Sequence, residues 1–203
     1  MPHYKLTYFD FDGGRAEPIR IAFHAGGIAF EDHRLSFPEF GAMRDKLRFK
    51  AVPVLEIDGS IVTQSNAMCR HVGRLSGLYP EDAMQALYCD EVLDAVEDIS
   101  HHMGATFGLK DEALKIAREQ LVKGPLSTFI KGADELLARG GGSYFADGRM
   151  TVADLKVFVQ TRWLARGTLD HVPTDLVDRL APALAEHQDR IAKDPRVVAY
   201  YAR

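Results

Sequence analysis

Apolar positions change period several times early in the chain and then settle into one pattern. Tyr4-Lys5-Leu6-Thr7-Tyr8-Phe9 is a β-rich run with partial alternation that stops at Asp12-Gly13-Gly14, so a strand runs into a loop. From Arg15 onward, Ala16, Ile19, Ala22 and Phe23 fall on one helical face, with Pro18 in a first turn where its missing N–H loses little. Phe30 to Leu35 reads as a second strand and Pro38 to Leu47 as a short helix. Val52 to Ile57 leads through Asp58-Gly59, a strong hairpin signal, into Ile61-Val62-Thr63. Gln64-Ser65 then opens a helix whose apolar face is predicted to hold Ala67, Met68, His71, Val72 and Leu75, with Gly77 near its end. The predicted order is β-α-β-α-β-β-α.

Beyond Pro80 the alternation disappears and amphipathic segments take over, roughly 82–108, 111–139, 151–166, 174–193 and a short one at the end. Gly124-Pro125 is expected to kink or split the second of these, and Gly140-Gly141-Gly142 marks a loop. An α/β unit over 1–80 followed by an all-helical unit over 81–203 is the expected organisation.

Composition narrows the function classes. The 203 residues, 46% hydrophobic and 27% charged, can bury a core as one large domain or two small ones. A net charge of −4 with both signs interspersed offers no basic stripe to track a phosphate backbone, so nucleic acid is not an expected partner. Lys5, Asp10, Asp12, Arg15, Glu17 and Arg20 interrupt the first twenty residues, which rules out a signal-peptide core or membrane span there and leads to a cytoplasmic expectation with no membrane partner. Cys69 and Cys89 have neither metal-ligand spacing nor a disulfide framework, in keeping with a reducing compartment.

Several short motifs could carry chemistry. Thr151-Val152-Ala153-Asp154 is a capping box flanked by Met150 and Leu155 at hydrophobic-staple positions, and Asp154 reads as structural. Gln64-Ser65 lies where helical N–H groups could either be capped or bind a carboxylate. Val52-Pro53, before a β run, can be cis and present the Val52 backbone to a ligand. Tyr8 at a strand end and Arg15 at a helix start would place a hydroxyl and a cation where an anion is favoured; taken singly, a core tyrosine and a solvated arginine are the commoner fates.

Together, Tyr8-Phe9, Gly14-Arg15-Ala16-Glu17-Pro18-Ile19-Arg20, Val52-Pro53-Val54-Leu55, Gln64-Ser65 and Met150 to Leu155 resemble the sigma class of cytosolic glutathione transferases, which includes the glutathione-dependent prostaglandin D synthases. The resemblance spans essentially the whole chain. It implies a thioredoxin-like domain that binds glutathione, a helical domain supplying the electrophile pocket, a homodimer, and no cofactor beyond glutathione as co-substrate. Tyr8 takes the catalytic tyrosine position and Arg15 the arginine beside it. Gln64 and Ser65 take the γ-glutamyl positions, and Val52 before a cis Pro53 pairs with the cysteinyl backbone. Arg44 falls near the glycyl carboxylate and Phe40 at a position usually held by tryptophan, while Asp98 corresponds to an acidic residue that reaches the other subunit's glutathione. Ala51 belongs to the same binding segment but lacks the side chain many members use. The loop Asp10 to Gly14 is one residue longer than the usual pattern, and no bulky aromatic stands near Gly104-Ala105, where prostaglandin-making members carry one.

The chemistry this implies starts from a thiol pKa of ~8.5, which leaves a cysteine-type sulfur mostly protonated at neutral pH. Tyr8, as a neutral phenol, would donate its O–H to the thiolate. A drop of about two pH units requires ~2.7 kcal/mol, and one charge-assisted hydrogen bond plus a nearby cation is of that order. The expected reaction is attack of glutathione thiolate on small hydrophobic electrophiles. An isomerase or peroxidase would use the same thiolate, and a non-catalytic relative would reuse only the fold. A glutaredoxin-like reaction would need a cysteine in the loop from Asp10 to Gly14, which has none. Asp94, Glu97 and Asp98, with His101 or His102 nearby, form either a solvated or dimer-facing acidic patch, the favoured reading, or a cation site. The second-substrate pocket is expected around Phe11, Met103 and the C-terminal residues.

Overall fold

The computed structural model describes residues 2–203; Met1, which opens the expected 1–80 unit, lies outside the described residues. Strand β1 (Tyr4–Phe9) runs parallel to β2 (Glu31–Leu35) and antiparallel to β3 (Val54–Ile57), which pairs with β4 (Ser60–Thr63), giving the order β2-β1-β3-β4. A parallel pair needs a crossover, and α1 (Glu17–Ala25), entered through a 3-10 turn at Gly14–Ala16, supplies it. The β3–β4 turn takes positive φ at both Asp58 and Gly59, as a two-residue hairpin of the primed type requires.

The helix expected over 38–47 is shorter. Helix α2 (Phe37–Met43), capped by Ser36 and Glu39, gives way to a 3-10 turn at Arg44–Lys46. Neither piece buries a residue, so only the cap favours the helical state.

Helix α3 (Ser65–Leu75) is where expected, but its buried face is rotated. Ser65, Met68, Cys69, Val72 and Gly73 are inside, whereas Ala67 and His71 are exposed and Leu75 retains 47% exposure. The reason is close packing: a Cβ on Gly73 would stand 2.8 Å from Val152 Cγ1, so the glycine side admits the neighbouring helix.

All later elements are helical: α4 (Ala83–Gly104), α5 (Asp111–Leu121), α6 (Ser127–Arg139), α7 (Val152–Ala165), α8 (Leu176–Leu180), α9 (Pro182–Ala192) and α10 (Pro195–Tyr201). A π turn at Val122–Leu126 joins α5 to α6, with Gly124 at φ −115°, ψ −105° before Pro125, which is the expected kink. The 174–193 segment is divided at Ala181, whose φ −153°, ψ 72° reflects the exclusion of the residue before Pro182 from the helical region.

Helix α7 is the centre of the molecule, packed by α1, α4 and α9 and buried from Val152 through Thr161 on every side. An all-round buried helix start has nowhere to find water for its unpaired N–H groups, and the capping box answers that need. The fully buried Asp154 carboxylate accepts from the Thr151 N–H (2.7 Å), the Thr151 hydroxyl (2.7 Å) and the Phe145 N–H (3.1 Å), and meets His187 Nε2 of α9 at 2.9 Å. Met150 and Leu155 are buried beside it. Asp154→Ala should strand these donors and cost at least ~3 kcal/mol, read as a lowered urea midpoint.

Candidate functional site

The site begins with the strand alternation that turns Tyr8 inward at the end of β1, leaving it 6% exposed. Its hydroxyl accepts the Arg15 backbone N–H at 3.3 Å, so the phenolic proton is free to point elsewhere. Burial raises the Tyr8 pKa above the phenol value of 10.0, against the pull of the Arg15 amide and of the Arg15 and Arg20 charges. The residue is therefore a neutral donor throughout the physiological range.

The loop that brings Arg15 to Tyr8 is possible only with glycine. Gly14 has φ +65°, and a Cβ there would sit 2.6 Å from the Tyr8 oxygen. The extra length of Asp10 to Gly14 does not separate Tyr8 from Arg15. Arg20, fully buried in α1, pins the same loop through the Phe11 carbonyl (3.0 Å) and the Phe9 carbonyl (3.3 Å) while pairing with Asp32 of β2 at 2.9 Å. Arg20 ends the motif Gly14 to Arg20, but nothing in the sequence foretold its hold on the loop; its place at i+3 from Glu17 on an apolar helix face was the available hint.

Arg15 itself departs from expectation. Its amide faces the hydroxyl, but its guanidinium turns to Glu97 of α4, Nε to Oε1 at 2.6 Å. The other Glu97 oxygen accepts from Ser65 Oγ at the start of α3 (3.1 Å) and from the Lys156 ammonium of α7 (3.1 Å). Lys156 also donates to Asn66, which in turn donates to Asp94 at 2.6 Å and to the Leu93 carbonyl at 3.1 Å. Although burial alone would raise the Glu97 pKa, the Lys156 and Arg15 charges hold it down at about 2. The predicted acidic triplet is thus broken up: Glu97 points inward, Asp94 is tied to Asn66 and Arg70, and Asp98 stays exposed. Among the described residues no group of three or more His, Cys, Asp or Glu could hold a metal ion.

Across the sheet end, the Val52-Pro53 bond is cis and both residues are buried. Gln64 holds φ 75°, ψ 107°, a conformation costly for a non-glycine residue, and delivers the chain from β4 into α3 with Ser65 as first residue. Tyr8, Arg15, Ser65 and Glu97 are brought together. Phe40 packs edge-on against Phe9, with ring centroids 5.1 Å apart, and Arg44 is exposed with its Nε bonded to the Lys50 carbonyl at 3.3 Å, next to the exposed Ala51. Of the residues expected around a second pocket, Phe11 is 42% exposed, but Met103 is buried at 1% beneath Gln160, whose amide nitrogen lies 2.9 Å from its sulfur. A small cleft beside the loop is lined by Gly13, Arg162, Trp163, Arg166 and, from the C-terminal residues, Tyr201. Cys69 and Cys89 are buried free thiols pushed up to about 11 and about 12 by desolvation, so neither is a nucleophile.

Residues 4–74 match a family model described as the glutathione S-transferase N-terminal domain, and residues 97–203 match one described as its C-terminal domain. The chain is 32% identical to the hematopoietic prostaglandin D synthase of Gallus gallus, across 98% of this chain and 96% of that one. It is 29% identical to glutathione S-transferase 3 of Caenorhabditis elegans, across 100% and 97%. The prostaglandin synthase D structure of Nilaparvata lugens superimposes with a TM-score of 0.86 at 27% identity, covering 100% of this chain and 98% of that one.

Two outcomes follow from the geometry. Gly14→Ala should displace the Tyr8 hydroxyl and cost about 1–2 kcal/mol in urea unfolding. Because the Glu97 pKa is lowered from 4.5 to about 2, its contribution is complete above pH ~5 and fades as pH falls toward ~2. The stability gap between wild type and Glu97→Gln, measured by urea unfolding at stepped pH, should narrow over that window.

Proposed function

Because the chain belongs to the glutathione S-transferase family and is a transferase of that class, we propose that Tyr8 holds the sulfur of bound glutathione as a thiolate, with Arg15 as the second catalytic residue. The observation that carries this is the buried neutral phenol whose oxygen already accepts the Arg15 N–H, which leaves its own proton to donate. A thiolate is the better acceptor for that proton than a thiol, so the bond favours ionisation. The resulting nucleophile attacks a small hydrophobic electrophile.

In this reading residues 1–80 hold glutathione. The N-terminus of α3, with Gln64 and Ser65, receives the γ-glutamyl end, where the helix dipole favours a carboxylate. The backbone of Val52 beside cis Pro53 pairs with the cysteinyl unit, Ala51 flanks that segment, and Arg44 and Phe40 lie toward the glycyl end. Residues 81–203 supply the electrophile pocket. The chain acts in the cytoplasm as a homodimer, with exposed Asp98 reaching the glutathione of the other subunit, and needs no cofactor beyond glutathione. The isomerase alternative uses the same thiolate with a different second substrate. Conjugation is favoured here because Gly104 and Ala105 stand where the resemblance to prostaglandin-making members would call for a bulky aromatic.

The test is the ultraviolet thiolate difference band of bound glutathione across pH, with 1-chloro-2,4-dinitrobenzene turnover alongside. Wild type should show a thiol pKa well below the free value of ~8.5, and Tyr8→Phe should return it toward that value with turnover reduced about 10- to 100-fold. An unchanged pKa and full turnover in Tyr8→Phe would remove the role given to Tyr8.

A further inference from the structure

Stabilising a thiolate calls for net positive charge nearby, yet Glu97 lies 2.6 Å from the Arg15 guanidinium. Paired with Arg15 alone, it would cancel that charge. The Lys156 ammonium, in a side chain only 3% exposed, stands 3.1 Å from the other Glu97 oxygen. One carboxylate is therefore shared by two cations, which leaves one positive charge in the cluster.

The other cations around it each have carboxylates of their own. Arg20 is tied to Asp32 and Glu17, and Arg70 to Asp90 and Asp94. Burial keeps the Cys69 thiol, packed on the same side, protonated, and Tyr8 is likewise neutral. Arg15 and Lys156, by contrast, have one carboxylate between them.

We propose that Lys156 is a positioning residue for thiolate formation: by sharing Glu97 with Arg15, it leaves the Arg15 charge uncompensated beside the glutathione sulfur. This rests on glutathione lying against Tyr8 and Arg15 as proposed above. A buried lysine on a helix packed inside the molecule has no solvent-exposed role to play, and its two acceptors, Glu97 and Asn66, both lead back to the start of α3. Lys156 touches neither Tyr8 nor the sulfur and acts only through Glu97.

The experiment compares the thiol pKa of bound glutathione, from the thiolate band, in wild type, Lys156→Met and the double variant Glu97→Gln/Lys156→Met. Removing the ammonium should raise the pKa by about 0.5 to 1 pH unit, as expected for one charge several ångströms away in a partly screened site. In the double variant the amide oxygen of the new side chain can still accept from Arg15 without carrying charge, so the pKa should fall back to the wild-type value. A merely structural lysine would predict no such recovery. A folded Lys156→Met with wild-type pKa, or a double variant that stays raised, overturns the proposal. Should Lys156→Met fail to fold, the double variant decides, since replacing both members of a buried pair by neutral groups is tolerated better than removing one: a pKa at or below wild type supports the proposal and a raised one overturns it. A wild-type protein with an ordinary thiol pKa would instead overturn the placement of glutathione itself, and this inference with it.

Discussion

The carboxylate of Glu97 joins the two halves of the molecule at the candidate site. It projects from the first long helix of the helical unit, yet two of its three partners, Arg15 and Ser65, belong to the α/β unit. Removing a carboxylate from water is costly, and a single partner rarely compensates for it. With two cations and a hydroxyl around it, the ionised form is favoured over the neutral one despite burial, as its pKa of about 2 reflects. The side chain of the arginine that closes the β1–α1 loop is thus held from the other unit, by a helix that lies far away in sequence.

A second constraint acts from below. Arg20, with no exposed surface, binds two carbonyls of the loop and a carboxylate on the edge strand, so the turn after β1 is fixed from inside the core. Gly14 permits the loop to pass within contact distance of the Tyr8 oxygen. In the role proposed for Tyr8 this rigidity has a chemical use: a donor held by packing loses little ordering entropy when an anion arrives. The buried capping box of α7 has a similar purpose on the helical side, since it fixes the start of the helix that carries Lys156.

Much of this was readable in the chain. Tyr4 to Phe9 alternates as a strand because one face meets the core, Asp58-Gly59 supplies the positive φ of a tight hairpin, and Thr151 with Asp154 announces a helix start. Tyr8, the cis-capable Val52-Pro53 and Gln64-Ser65 could be singled out because each combines a residue type with a local position. The face of α3 was misjudged because periodicity counts Leu75 and Ala67 as apolar, whereas the side of a helix that goes inside is set by which neighbour can approach closest, here at Gly73. Asp94, Glu97 and Asp98 read as one patch because they share a helical face, but the three point to different fates once other helices pack.

The sequence by itself determined the order of elements and the division between an α/β half and a helical half. These follow from periods of two and 3.6 residues and from local turn chemistry, which act over a few neighbours along the chain. Only the tertiary structure decided that the Arg15 side chain turns to Glu97, that Lys156 is the second cation on that carboxylate, and that Arg20 is a buried latch. Each of these is an ion pair or hydrogen bond between segments 12 to 82 residues apart. A charge in sequence is only a charge; whether it is solvated, paired or shared is settled by which other charges the packed core forces beside it.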